Sequence, residues 1–174
     1  MITKRNLLLT GAPGSGKTTA IREILTRLDR PTGGFYTQEI RGEAGREGFR
    51  LITLDGREAV LAHLAFPGRD RVGRYKVDTR VLESLAVDAV EGAVSAGALV
   101  VIDEIGPMEL LSRKFRMAVV AALDSPTPVL GTIIAGRHPF ADIVKGRPDV
   151  TLLEIRRQNQ DQVIAQAVEL VRRP

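Results

Sequence analysis

Apolar residues in this chain follow two rhythms, and their alternation predicts the architecture. Uninterrupted apolar runs at Leu7 to Thr10, Ala98 to Ile102, Val129 to Ala135 and Val150 to Ile155 read as strands covered on both faces, as in the middle of a parallel sheet. Elsewhere apolar positions return every three or four residues. Ile21, Ile24, Leu25 and Leu28 form one such set, Leu82, Leu85, Ala86, Ala89, Val90, Ala93 and Val94 a second. Met108, Leu111, Phe115, Val119 and Leu123 form a third, and Val163, Ile164, Ala167, Val168 and Val171 a fourth. That spacing predicts helices with one buried face. Strands alternating with helices predict an α/β three-layer sandwich around a mostly parallel central sheet.

The punctuation adds an antiparallel insertion. Pro31, Gly33 and Gly34 end the first helix, and Phe35 to Arg41 reads as a strand. A loop at Gly42 to Gly48 leads to Phe49 to Leu54, then Asp55-Gly56, then Arg57 to Leu64. Asp-Gly between two such runs signals a hairpin. We therefore expect a single domain over residues 1–174 with a β-hairpin insertion at about 35–78. Asp78 is a candidate N-cap for the helix that ends at Gly97. The next helix is expected to start near Pro107 and to stop before Pro126 and Pro128.

The first strand runs into Gly11-Ala12-Pro13-Gly14-Ser15-Gly16-Lys17-Thr18 and then the first helix, the order a phosphate-binding loop requires. The glycines let main-chain N–H groups wrap a phosphate chain closely, and the helix aims its positive end at the anion. All eight residues from Gly11 to Thr18 are candidate nucleotide contacts, with Thr19 a further candidate at the α-phosphate. Lys17 is expected to place a charge on the β- and γ-phosphates, and the Thr18 hydroxyl to ligate the Mg²⁺ that bridges them.

The strand Ala98 to Ile102 ends in Asp103 and Glu104, two carboxylates that are costly at the end of a buried strand without a partner. Beside a phosphate loop, Asp103 is the candidate second ligand of Mg²⁺ and Glu104 the candidate base that orients and deprotonates a water. The competing reading has both as acidic residues favoured ahead of a helix.

Thr132 either bonds the γ-phosphate or the water, or is a satisfied buried threonine. In Gly136-Arg137-His138-Pro139, at the carboxyl edge of the sheet, Arg137 is the candidate transition-state cation and His138 a helix-start residue. Arg157 is a candidate for stacking on the base, and Asn159 either bonds the base or caps the last helix. The basic stretch with Arg69, Arg71, Arg74 and Lys76 reads either as a phosphate-facing segment or as a solvated loop.

Composition narrows the classes. A chain of 174 residues, 44% hydrophobic, suffices for a packed core. It has no run of about 18 apolar residues, so no membrane partner is expected and a cytoplasmic location is. The absence of Cys removes disulfides and thiolate chemistry, and His63 and His138 alone make a zinc site poor. Lys plus Arg number 25 against 21 Asp plus Glu, a net charge of +4 that suits a nucleotide but is not a nucleic-acid signature. A monomer is favoured.

Five segments together resemble the nucleoside-triphosphatase family first described from thermophiles. They are Gly11 to Thr18, Gly34-Phe-Tyr-Thr-Gln-Glu-Ile-Arg41, Arg71-Val-Gly-Arg-Tyr-Lys-Val-Asp78, Asp103-Glu-Ile-Gly-Pro-Met-Glu-Leu110 and Gly131-Thr-Ile. The resemblance implies slow, magnesium-dependent hydrolysis of ATP, GTP and other nucleoside triphosphates on a RecA-like sheet. It carries phosphate, metal, metal and base roles onto Lys17, Thr18, Asp103 and Glu104, whereas Arg137 matches less cleanly. Two other functions fit the loop: a nucleotide or nucleoside kinase, and a nucleotide-switched module that binds a protein or RNA.

Overall fold

The computed structural model describes residues 5–172. Its centre is a nine-stranded mixed sheet. In chain order the strands are β1 (Asn6–Gly11), β2 (Thr32–Gly42), β3 (Gly45–Thr53), β4 (Glu58–His63), β5 (Arg71–Val72), β6 (Tyr75–Val77), β7 (Leu99–Ile105), β8 (Val129–Ile134) and β9 (Val150–Glu154). They lie side by side as β5-β6-β4-β3-β2-β7-β8-β1-β9. The five strands from β2 to β9 are parallel, and β3, β4, β6 and β5 continue the sheet antiparallel.

The helices are α1 (Lys17–Thr26), α2 (Thr79–Val81), α3 (Val87–Ser95), α4 (Arg113–Asp124), α5 (Pro139–Lys145) and α6 (Gln160–Arg172), with a π turn at Leu82–Ala86 joining α2 to α3. Successive strand residues point to opposite faces, so the sheet feeds two cores. Leu8, Val100 and Ile102 pack with Val90 of α3, Phe115 and Val119 of α4 and Val144 of α5. Leu7, Leu9, Leu99 and Val101 pack with Ile21 and Ile24 of α1 and with Val163, Ala167 and Val168 of α6. This is the three-layer α/β sandwich, its five parallel strands extended by the antiparallel insertion. No helix among the described residues is long and apolar enough to cross a membrane.

Strand β2 belongs to both halves of the sheet. Its first residues pair parallel with β7 and its length pairs antiparallel with β3, so it begins three residues before the expected Phe35. Gly34 makes that crossing possible. Its φ is +110°, and a Cβ there would drive into the main chain of Val101.

The helix expected near Pro107 starts later. Glu109–Leu111 form a 3₁₀ turn, and α4 begins at Arg113, where the Ser112 hydroxyl accepts from Phe115 N at 3.1 Å. A serine that can cap outweighs a proline whose only advantage is a preset φ. Leu111 is consequently exposed at 40% rather than on the buried face. Asp78 does cap its helix, accepting from Arg80 N at 3.1 Å.

The basic stretch becomes β5 and β6, with Arg74 bonded to the Tyr75 hydroxyl and the Arg46 carbonyl. Six strand steps separate β6 from β1, on the order of 30 Å at the usual inter-strand spacing. That distance removes the phosphate-facing reading of this segment.

Candidate active site

The parallel strands deliver their carboxyl ends to one edge. There β1 runs into Gly11 and the loop that follows, β7 into Asp103 and Glu104, β8 into Gly136 and Arg137, and β9 into Ile155 to Asn159. Because β8 lies between β1 and β7, Thr132 sits between the loop and the acidic pair.

Gly16 opens α1 with φ +93°, a left-handed turn that a side chain would strain. The Lys17 ammonium donates to the carbonyls of Gly11 at 2.9 Å and Ala12 at 3.3 Å, bending the side chain back over the loop. Ser15 is buried, and its hydroxyl, like that of Thr10, has no hydrogen-bond partner.

Asp103 is fully buried. Its Oδ1 accepts from the Thr132 hydroxyl at 2.6 Å, and its Oδ2 has no partner. Burial pushes the Asp103 carboxyl up, opposed by the hydroxyls of Thr132 and Thr18 and by the charge of Lys17. Burial raises Glu104 as well, with Lys17 opposing and Asp103 reinforcing. The loop and the acidic pair, 86 positions apart by 103 − 17, therefore share one electrostatic environment.

The residues fit a divalent cation. An orphaned buried carboxylate oxygen beside a threonine hydroxyl is a hard-oxygen donor pair. Among the described residues no three His, Asp or Glu side chains converge as a cage, which is expected where phosphate and water complete the coordination.

A pocket of about 400 Å³ opens beside the loop, lined by Ala12, Pro13, Gly14 and Ser15 on one side and by Glu154, Ile155, Arg156, Arg157 and Gln158 on the other. Arg157 thus faces the phosphate loop across a space of nucleotide size. Asn159 accepts from Arg156 N at 2.7 Å and donates to the Glu154 carbonyl at 3.0 Å. It braces the turn before α6, the capping alternative.

Other sequence candidates stand apart. Thr19 is exposed on α1. The Arg137 side chain is 98% exposed and only approaches Asp142, at 3.9 Å. His138 Nδ1 accepts from Phe140 N at 3.2 Å and starts α5, as expected. Thr132 is the satisfied buried threonine of the two readings.

Two residues with no assigned sequence role join the site. Gln160, the first residue of α6, donates from Nε2 to the Ser15 carbonyl at 2.8 Å and packs under Gly16. No local pattern announces that long-range bond. Glu109 is buried at 5% exposure, its carboxyl pushed up to about 8 by burial and then by the charge of Glu104. An acidic residue in the apolar run Met108 to Leu111 was its available signal.

The chain is similar to known proteins. The chain is 43% identical over 166 residues to the nucleoside-triphosphatase THEP1 of a Thermotoga species, covering 95% of each. It is 37% identical over 180 residues to a cancer-related nucleoside-triphosphatase homolog of Bos taurus, covering 94% and 95%. The crystal structure of THEP1 from the hyperthermophile Aquifex aeolicus superposes with a TM-score of 0.88 at 34% identity, covering 97% of this chain and 99% of that one. Residues 6–168 match the family described as NTPase, and with the fold and the named relatives in agreement, the chain belongs to that nucleoside-triphosphatase family.

Proposed function

We propose that this protein hydrolyses nucleoside 5'-triphosphates at the β–γ bond, with Mg²⁺ as cofactor, as a cytoplasmic monomer. The observation that carries the reading is the buried Asp103. One carboxylate oxygen is held by Thr132, the other is unpartnered, and Thr18 and Lys17 lie against the same group.

In this reading the amides of residues 11–18 cradle the phosphates, and Lys17 leaves the loop carbonyls to neutralise the β- and γ-oxygens. Thr18 and Asp103 would hold Mg²⁺. That ion would supply neutralisation of the phosphate charge when bound. Glu104 orients a water in line with the γ-phosphorus and takes its proton, and burial keeps the carboxyl basic enough to do so. Arg157 stacks on the base from the far wall of the pocket, and Arg137 is the proposed cation for charge developing on the leaving phosphate.

Slow turnover and tolerance of several bases are supported by the family resemblance alone. A water-directed carboxylate favours hydrolysis over transfer to a hydroxyl acceptor. The test is phosphate release with Lys17→Ala and Glu104→Gln. Lys17→Ala should abolish productive nucleotide binding. Glu104→Gln should retain binding while kcat falls by a factor on the order of 10² to 10⁴. Transfer of label to a nucleotide acceptor in place of phosphate release would refute the hydrolase.

A further inference from the structure

Between Glu104 and α4 the chain makes a tight turn that the chemistry above leaves unused. Leu110 N donates to the Gly106 carbonyl at 2.9 Å and Ser112 N to the Glu109 carbonyl at 3.2 Å. Arg116 Nη1 donates to the Leu110 carbonyl at 2.5 Å. Residues 106–112 are thereby fastened to the helix behind them.

Gly106 within this turn is informative because its backbone does not need a glycine. Its φ lies outside the left-handed region, and the neighbours of an added Cβ are Oε1, Cγ and Cδ of Glu104. The Glu104 side chain therefore lies folded across the bare α-carbon of Gly106. A methyl group at that place would first meet a flexible side chain, so it would move the carboxyl.

We propose that Gly106 is a positioning residue for Glu104. The bare Gly106 α-carbon fixes the aim of the Glu104 carboxyl toward the attacked phosphate. Gly106 does not touch substrate and acts through Glu104. The inference rests on the reading of Glu104 as base.

The test is steady-state hydrolysis of ATP with Mg²⁺ by Gly106→Ala, alone and built on Glu104→Gln. Gly106→Ala should lower kcat by roughly tenfold to a hundredfold with KM within about twofold, because the phosphate loop is untouched. On Glu104→Gln the same change should cost no further rate, since the group it aims is already disabled.

A wild-type kcat for Gly106→Ala overturns the inference, and so does an equal loss on the Glu104→Gln background. A wild-type kcat for Glu104→Gln itself sinks the base assignment and this inference together. A slow Glu104→Gln beside an unaffected Gly106→Ala sinks only the inference.

Discussion

The Thr132 hydroxyl donates to Asp103 Oδ1 across 2.6 Å, from the middle of β8 to the end of β7. Both side chains are fully buried. The bond occupies one carboxylate oxygen and leaves the other without a partner. The hydroxyl sets which oxygen of Asp103 is available.

Thr132→Val keeps the shape and removes the donor. A buried acceptor left unbonded costs about 1–3 kcal/mol, and here the freed carboxylate is also free to rotate. We expect kcat/KM to fall on the order of tenfold and the Mg²⁺ concentration for half-maximal rate to rise. Thr132→Ser should restore both. A Mg²⁺ titration of phosphate release checks this, and an unaltered half-maximal Mg²⁺ in Thr132→Val would remove Asp103 from the metal site.

Gly34 is where the parallel and antiparallel halves of the sheet join. Any side chain there combines an unfavourable φ of +110° with a collision against the Val101 main chain. Gly34→Ala should therefore destabilise the protein by about 2–4 kcal/mol, by strain and by loosening of the β2–β7 pairing. Thermal or denaturant unfolding measures it. Gly45→Ala, with φ +112° and open space around it, is the control, and should cost only the strain.

The parallel core and the loop 11–18 were legible because each rests on local signals: continuous apolar runs, helical spacing, glycines at fixed offsets. What sequence missed depends on contacts across the fold. Asn6 reads as a polar residue before a strand, yet it is buried and bonds the Leu123 carbonyl, Asp149 and Val129 N. Gln160 reads as one of several glutamines near the start of a helix, yet it holds the Ser15 carbonyl 145 positions away. The start of α4 falls after the expected Pro107 because the Ser112 hydroxyl caps it, a local bond that the proline outshone in the sequence. The exposure of Arg137 has no local signature.

The Glu109 carboxyl, held up to about 8 by burial and the nearby Glu104 charge, makes stability depend on pH. A carboxyl with a folded pKa above its unfolded value contributes stability that is full below the unfolded value of about 4.5. The contribution is lost as pH rises through about 8. Glu109→Gln, neutral at every pH, should remove that loss. Melting temperatures of the variant and the wild type should therefore diverge in the variant's favour between pH 5 and pH 8.5. A difference that stays constant with pH would show that Glu109 is ionised throughout in the folded protein.

Arg137 is a site candidate whose side chain the fold leaves in solvent. It lies on the loop after β8 at the correct edge of the sheet, but its side chain is 98% exposed and its nearest acidic partner is Asp142. To act on the phosphates it must swing inward when nucleotide fills the loop, leaving a contact too long and too exposed to resist. If it does so, its charge is felt mainly in the transition state, and the loss in Arg137→Ala belongs in kcat rather than in nucleotide affinity. We expect kcat to fall at least tenfold, with the dissociation constant for a non-hydrolysable triphosphate within about threefold of wild type. Asp142→Asn, which frees Arg137 from its resting contact, should leave kcat unchanged or raise it. Unaltered turnover in Arg137→Ala would leave charge stabilisation to Lys17 and the bound cation alone.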